Sequence, residues 1–319
     1  MANFHSDEWI MARLAEHYEE AKEHFDESRI VGIFIQGSQN YGLDYEGSDI
    51  DTKLIVVPTF EEIAFNKKPI STTHIRENEE HIDFKDIRLY IDTFRKQNLN
   101  FLEILFTKYK IVNPIYEEWW NQLVDAREDI AHYDIHRAIK SMKGIAMEKY
   151  HAMEHRYPAK AEIIDAWGYD PKQLHHLIRV QEYIHRYIEG EKYADCLISK
   201  LGDELRNLKI VGPTQPPVFA LMTAQVMAKQ ALDDIVETAD NFAAQADSFE
   251  KDEQVDVILD RIQEKIMRDA VMAELLAVCP ECGEPLIWRA NWHYPMYECE
   301  KCLGTYEKTE TGLQRFFFG

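Results

Sequence analysis

Apolar and polar positions alternate in two different rhythms along the first part of the chain. Over residues 7–27 the apolar positions recur every three or four residues, which predicts an amphipathic helix. Residues 29–35 and 53–57 are β-branched apolar runs, and residues 80–84 alternate in polarity, so each of these segments is a predicted strand. Residues 1–128 are therefore predicted to form a small domain that mixes strands with helices.

Helical spacing dominates from there to residue 278. Helices are predicted over residues 136–153, 171–189, 193–208, 218–246 and 255–278. Residues 212–217 include three prolines and a glycine and must interrupt them. We expect an all-helical domain over residues 129–278 and a third unit over residues 279–319. The predicted fold class is α+β, with a mixed sheet in the first domain.

Composition narrows the class of protein. The 319 residues include 57 Asp and Glu against 36 Lys and Arg, which gives a formal net charge of −21. Such an acidic protein repels phosphate backbones, so non-specific coating of nucleic acid is disfavoured, although a locally basic cleft can still admit it. The sequence has no long uncharged apolar segment and no leader-like N-terminus. A cytoplasmic protein without a membrane partner is therefore expected.

The candidate chemistry lies between the first two predicted strands. Gly37 and Ser38 end the first apolar run, and Asp49 and Asp51 open the second. Side chains two residues apart on a strand share a face, so the two carboxylates repel each other unless a divalent cation binds them. Mg²⁺ or Mn²⁺ prefers such oxygen ligands. A glycine followed by a hydroxyl side chain can approach a phosphate closely.

A carboxylate pair beside a phosphate-binding turn is what phosphoryl or nucleotidyl transfer requires. A third carboxylate usually completes such a site, and Asp83 is the best candidate because core residues flank it on a predicted strand. Asp86, Glu79 and Glu80 are weaker candidates. An isolated Asp-x-Asp also occurs at solvated strand ends, but the preceding Gly-Ser and the apolar strands on both sides favour the functional interpretation.

These motifs resemble those of a known superfamily. The apolar run followed by Gly-Ser, ten residues and Asp-Ile-Asp, within residues 35–51, resembles the signature of the DNA polymerase β nucleotidyltransferase superfamily. Residues 37–51, 82–106 and 168–179 are similar to a narrower branch in bacteria and their phages that is associated with RNA repair. Thr52-Lys53-Leu54 departs from that branch, in which a glycine often follows the second aspartate.

The resemblance implies a polymerase-β-like catalytic domain that transfers an NMP from an NTP to a hydroxyl acceptor and releases pyrophosphate. The implied site residues are Asp49, Asp51 and Asp83 for Mg²⁺ or Mn²⁺, and Gly37, Ser38 and Ser48 for the nucleotide. RNA, for example a tRNA end, is the acceptor that the resemblance favours. Two alternatives stay open: transfer of AMP to a protein side chain, which suits the acidic surface, and a non-catalytic nucleotide-binding interaction protein.

Lys172, His176 and Arg179 lie at positions i, i+4 and i+7 of a predicted helix and therefore share one face. Two cations and an imidazole on one stripe suit a triphosphate. A solvated helix face gives the same pattern, so both interpretations stay open, and the resemblance of this stretch to the branch favours nucleotide binding.

The last unit carries four of the five cysteines. Cys279 and Cys282, then Cys299 and Cys302, form two Cys-x-x-Cys pairs separated by sixteen residues. This spacing predicts a zinc ribbon with a closed, structural Cys₄ site. The ribbon could bind nucleic acid through the aromatic residues of 288–294, mediate protein contacts, or brace the helical domain, and these three roles stay open.

Overall fold

The computed structural model describes residues 3–245, 252–275, 278–290, 295–309 and 312–316. Its helices are α1 (Asp7–Ala21), α2 (Ser38–Tyr41), α3 (Phe60–Ala64), α4 (Ile87–Arg95), α5 (Leu99–Leu102), α6 (Glu117–Asp125), α7 (Arg127–Ala131), α8 (Ile135–Ala152), α9 (Ala161–Trp167), α10 (Pro171–Ile188), α11 (Tyr193–Leu197), α12 (Gly202–Leu208), α13 (Leu221–Ala243) and α14 (Glu253–Leu275). Its strands are β1 (Ile30–Gln36), β2 (Asp51–Val56), β3 (Ser71–Ile75), β4 (His81–Asp86), β5 (Lys110–Val112), β6 (Ile287–Ala290), β7 (Pro295–Glu298), β8 (Thr305–Thr309) and β9 (Gly312–Arg315). The predicted mixture of strands and helices is confirmed.

A mixed five-stranded sheet lies near the start of the chain, in the order β3-β4-β2-β1-β5. β2 and β4 run parallel, and the other neighbours are antiparallel. β1 and β2 are buried along nearly their whole lengths, which explains their continuous apolar sequence. Helix α1 packs on this sheet, where Ile10 and Leu14 join Ile33 and Leu54 in one fully buried cluster.

Helices α8, α10 and α13 pack against one another after the sheet. Helix α10 begins at Pro171, where the fixed φ of proline suits a first turn, and Asp170 caps it by accepting a hydrogen bond from the N–H of Lys172 at 3.0 Å. One face of α10 is buried, and the face that carries Lys172 and Arg179 is at least partly accessible.

Some predicted helices end earlier than expected. The predicted helix over 193–208 is split into α11 and α12. The guanidinium of Arg186 donates hydrogen bonds to the carbonyl oxygens of Asp195 and Ile198, at 2.7 and 2.8 Å. These carbonyls are thereby satisfied outside a helix, which ends α11. Strand β3 was not predicted, because its side chains are mostly exposed and do not alternate in polarity.

The chain clusters into two compact units. One comprises Met1–Val56 and Pro69–Gln263, and the other comprises Val57–Lys68 and Glu264–Gly319. The predicted boundaries at residues 128 and 278 stay predictions. None of the described helices combines the length and the apolar character needed to cross a membrane.

The second unit contains an antiparallel four-stranded sheet in the order β6-β7-β8-β9. Its small core is built from Cys279, Cys299, Leu286 and Tyr306. Residues 291–294, among which several of the predicted nucleic-acid contacts fall, lie outside the described residues.

Candidate active site

The turn after β1 has a conformation that favours glycine. Gly37 has φ +90°, which places it in the left-handed half of conformational space, and Ser38 begins the short helix α2. A Cβ atom added at Gly37 would meet nothing within 4 Å, so this side of the turn faces open space. Its N–H is already engaged, because it donates a hydrogen bond to Oε1 of Glu103 at 2.9 Å.

Asp51 is the first residue of β2, opposite the end of β1, and Asp49 precedes the strand by two residues. Gln36, the last residue of β1, pairs with Asp51, so the glycine turn and the carboxylates meet at one edge of the sheet. Asp49 is exposed and Asp51 is partly buried. Burial and the charge of Asp49 together raise the pKa of the Asp51 carboxyl, although His81, 3.1 Å from it, acts in the opposite direction. The pair therefore carries excess negative charge, as a cation site does.

Ser48 lies just before this pair and is buried. Its hydroxyl oxygen accepts a hydrogen bond from the N–H of Tyr45 at 2.9 Å. The side chain thus closes the turn that leads into Asp49, while the residue also contributes to the wall of the cavity described below.

Glu80 stabilises the segment that carries Asp49 and Asp51 by binding the backbone between them. Its Oε1 accepts a hydrogen bond from the N–H of Ile50, the residue between the two aspartates, at 3.2 Å. The other oxygen, Oε2, is bound by Arg13, Arg76 and His17, and His17 also contacts the hydroxyl of Thr52 at 3.0 Å. Burial raises the pKa of Glu80, but hydrogen bonds from His17, Asn78 and Arg13 outweigh burial and lower it to about 2.

Replacing Glu80 with Ala is expected to lower the free energy of unfolding by about 1–3 kcal/mol, because the buried ring of His17 and the N–H of Ile50 lose their hydrogen-bond acceptor. Arg13 and Arg76 keep Glu16 and Glu20 as ion-pair partners. Urea unfolding at pH 7 measures this loss. Glu77→Ala, at an exposed carboxylate three residues earlier, is the matched control and should change little. Since the pKa of Glu80 is depressed, its contribution is present above pH 4.5 and is lost as the pH falls towards 2.

The remaining carboxylate candidates have other partners. Asp83 on β4 is bound by Lys53 at 3.1 Å and by the hydroxyl of Thr73 at 2.6 Å. Asp86 caps α4 by accepting a hydrogen bond from the N–H of Arg88 at 2.9 Å. Glu79 lies in the turn before β4 with φ +68° and is exposed.

One cavity of about 570 Å³ brings the candidate residues together. Its lining includes every predicted residue of the nucleotide and carboxylate sets: Gly37, Ser38, Ser48, Asp49, Asp51, Asp83, Lys172, His176 and Arg179. These residues come from the segment between β1 and β2, from β2 itself, from β4 and from α10, so the fold brings distant parts of the sequence together. The face of α10 that carries Lys172, His176 and Arg179 therefore lines the same cavity as the carboxylates and does not face bulk solvent alone.

Several cations of the cavity form no ion pair with a described residue. Within the described part of the chain, Lys160, Lys172, Lys209 and Arg179 have no carboxylate at ion-pairing distance. Burial, with the charge of Lys172 second, lowers the pKa of Lys209 to about 8, so this side chain is still largely protonated at pH 7. This local excess of positive charge contrasts with the acidic chain as a whole.

The two neighbouring histidines of α10 are neutral at pH 7. Burial lowers the pKa of His175 to about 3, and its Nδ1 contacts the carbonyl oxygen of Leu205 at 2.7 Å. Burial also lowers the pKa of His176 well below its usual value. His176 therefore faces the cavity as a hydrogen-bonding imidazole and not as a third cation.

Glu103 is the main site residue that sequence analysis missed. It is buried beneath the glycine turn, where it accepts hydrogen bonds from the N–H of Gly37 and from the hydroxyl of Tyr41. The guanidinium of Arg179 stacks on the ring of Tyr41, 3.4 Å from its centre. No local pattern could have shown this, because Glu103 and Arg179 meet the segment of Gly37 and Tyr41 only through the fold.

Burial raises the pKa of Glu103 to about 8, against opposing effects of Arg179 and Gly37. The folded protein therefore keeps a proton on this carboxyl between pH 4.5 and 8, while the unfolded chain releases it. We expect stability to fall as the pH rises through this window, by on the order of 1 kcal/mol per pH unit.

Glu103→Gln keeps the shape of the side chain but cannot titrate, so it should remove this dependence of the free energy of unfolding on pH. Urea unfolding of both proteins between pH 5 and 8 is the measurement. Equal slopes in the variant and the unaltered protein would contradict the assignment.

The four C-terminal cysteines are positioned to bind a metal ion. Their sulfur atoms all lie within 4.8 Å of one another, with Cys279 and Cys302 at 3.3 Å and Cys282 and Cys299 at 3.4 Å. Tetrahedral ligands about 2.3 Å from a central ion lie roughly 3.8 Å apart, so the cluster fits a structural zinc site. The hydroxyl of Tyr306 lies 3.2 Å from Sγ of Cys279 and can donate a hydrogen bond to it.

The sequence was compared with protein-family models and with curated proteins. No protein-family model matches the chain, and no curated protein matches it.

Proposed function

We propose that the protein is a Mg²⁺-dependent nucleotidyltransferase of the polymerase β type, which moves an NMP from an NTP to a hydroxyl acceptor. The observation that supports the proposal most is the cavity itself. One space is lined by an open glycine turn, by the carboxylates of Asp49 and Asp51, and by cations without carboxylate partners. A metal-bound nucleoside triphosphate needs these three kinds of group together.

The carboxylates fit a divalent cation. Asp49 has its side chain exposed to the cavity, and the raised pKa of Asp51 reflects the repulsion and burial that a bound cation relieves. Asp49 and Asp51 would hold Mg²⁺ or Mn²⁺. When bound, the ion supplies positive charge to the phosphates and to the attacking oxygen.

The side chains of the cavity would orient and neutralise the triphosphate. Lys172, Lys209 and Arg179 provide three positive charges near the triphosphate, and His176 provides a neutral hydrogen-bonding group. Gly37 allows the phosphates to come close to the backbone. In the reaction, the acceptor oxygen bonds to the α-phosphorus while the bond from that phosphorus to pyrophosphate breaks, and the hydroxyl proton leaves with solvent.

RNA is the acceptor that we propose, on the resemblance of residues 37–51 and 168–179 to the RNA-repair branch and on the basic lining of the cavity. A protein side chain is the competing acceptor, because the net charge of −21 disfavours RNA on the rest of the surface. For the cysteine cluster, we propose one structural zinc ion.

The acceptor can be determined directly. The purified protein is incubated with each α-labelled NTP, Mg²⁺ and either total RNA or a protein extract, beside the double variant Asp49→Asn/Asp51→Asn. Label on RNA supports the proposal, and label on protein transfers the assignment to the competing acceptor. Absence of label from both, or equal labelling by the double variant, contradicts nucleotidyl transfer at this site.

A further inference from the structure

Lys53 places a buried positive charge in the floor of the cavity. It follows Asp51 by two residues on β2, so the two side chains share a face of the sheet. Its side chain is 4% exposed, and its Nζ lies 3.1 Å from Oδ2 of Asp83. A charge this deep in a protein requires a fixed partner, and Asp83 is that partner.

The register of the sheet determines this pairing. On the parallel strands β2 and β4, Lys53 lies opposite Asp83, and Nδ1 of His81 lies 3.1 Å from Oδ1 of Asp51. Asp83 therefore lies on the neighbouring strand, beside the ammonium of Lys53 and not directly beside Asp51. Its second oxygen, Oδ1, accepts the hydrogen bond from Thr73 at 2.6 Å, so both oxygens are engaged by the protein.

Phe101 fixes the lysine from the other side. The Nζ atoms of Lys53 and Lys85 each lie 4.0 Å from the centre of its ring. Lys53 is thus held by an ion pair and by an aromatic face, both in the lining of the cavity. Among the described residues, the four cysteines are the group of three or more potential metal ligands whose atoms lie close enough to share an ion. The carboxylate of Asp83 does not form such a group with those of Asp49 and Asp51.

We infer that the site holds a single divalent cation, bound by Asp49 and Asp51, and that the ammonium of Lys53 stands where a second cation would otherwise lie. Asp83 is then a positioning residue for Lys53 and not a metal ligand. This inference rests on the proposed function and sets its cation requirement at one, where phosphoryl-transfer sites often use two. It also gives a physical role to Lys53, which lies two residues after Asp51.

Counting bound Mn²⁺ tests the inference without relying on activity. The full-length protein, with its cysteine site loaded with zinc, is titrated with Mn²⁺ in the presence of a non-hydrolysable ATP analogue, and free Mn²⁺ is followed by electron paramagnetic resonance. We expect one Mn²⁺ per protein–nucleotide complex. A count of two in the unaltered protein would overturn the inference.

Three variants sharpen the result. Asp83→Asn should keep the count and change the Kd for Mn²⁺ by less than threefold, whereas a loss of tenfold or more would overturn the inference. Lys53→Gln frees Asp83 and should add a second, weaker Mn²⁺, and a count that stays at one would contradict the place assigned to Lys53. Asp51→Asn should weaken Mn²⁺ at least tenfold. If it does not, the carboxylate site of the proposed function fails, which is a different pattern from failure at Asp83.

Discussion

Asp51→Asn is expected to lower the rate of nucleotide transfer by about 10³-fold, the size of effect seen when one electrostatic contact to a transition state is removed. The substitution keeps the size of the side chain and removes the charge that would bind the cation. The fold should be retained, because the amide oxygen of asparagine can still accept the hydrogen bond from the N–H of His81. Single-turnover transfer from an α-labelled NTP gives the rate.

Glu46→Gln is the matched control for this change. Glu46 is an exposed carboxylate on the same loop, and it does not line the cavity. The same loss of one negative charge there should leave the rate within about twofold of the unaltered protein, since surface charges contribute little. Equal losses in the two variants would show that general charge, and not the carboxylate at position 51, matters.

Cys299→Ser is expected to remove the metal from the C-terminal unit and to unfold its sheet. Among the described residues, two of the four buried members of the cluster around the metal site are cysteines, so few apolar contacts remain there without the ion. A structural zinc contributes about 10–16 kcal/mol of apparent binding free energy, which is more than such a small core supplies. Zinc content and protection of residues 264–319 from proteolysis are the measurements.

Cys196→Ser is the control for the loss of a thiol. Cys196 is buried in the other compact unit, and its sulfur lies 3.8 Å from the carbonyl oxygen of Glu191. This variant should keep one zinc per chain. If Cys299→Ser also kept a full complement of zinc, the four-cysteine site would be refuted.

The sequence was informative where chemistry is encoded over short distances. Gly37, Ser38, Asp49 and Asp51 could be grouped because all four lie in one short segment that joins two apolar strands, although strand β2 begins only at Asp51. The cysteine pairs could be grouped because their spacing matches a metal site, and the structure brings their sulfur atoms together. The helix stripe of α10 could be predicted as a face, but not as the wall of a cavity.

What the sequence could not predict depends on register and on long-range packing. Asp83 was chosen because it lies on a strand between core residues, and only the pairing of β2 with β4 places it against Lys53. Glu80 was one of several carboxylates near β4, and its position behind Ile50 follows from the packing of α1. Glu103 meets Gly37 across 66 positions of sequence. Such contacts have no local signature.

The most direct measurement of the central claim compares the fate of two phosphates of one nucleotide. The protein is incubated with Mg²⁺, total RNA and ATP labelled either at the α- or at the γ-phosphate, and the other three NTPs are tested in the same way. Nucleotidyl transfer predicts that the α-label becomes attached to the acceptor and that the γ-label is released as pyrophosphate, with both signals lost in Asp49→Asn/Asp51→Asn. Attachment of the γ-label would show phosphoryl transfer instead, and absence of either product would contradict the account.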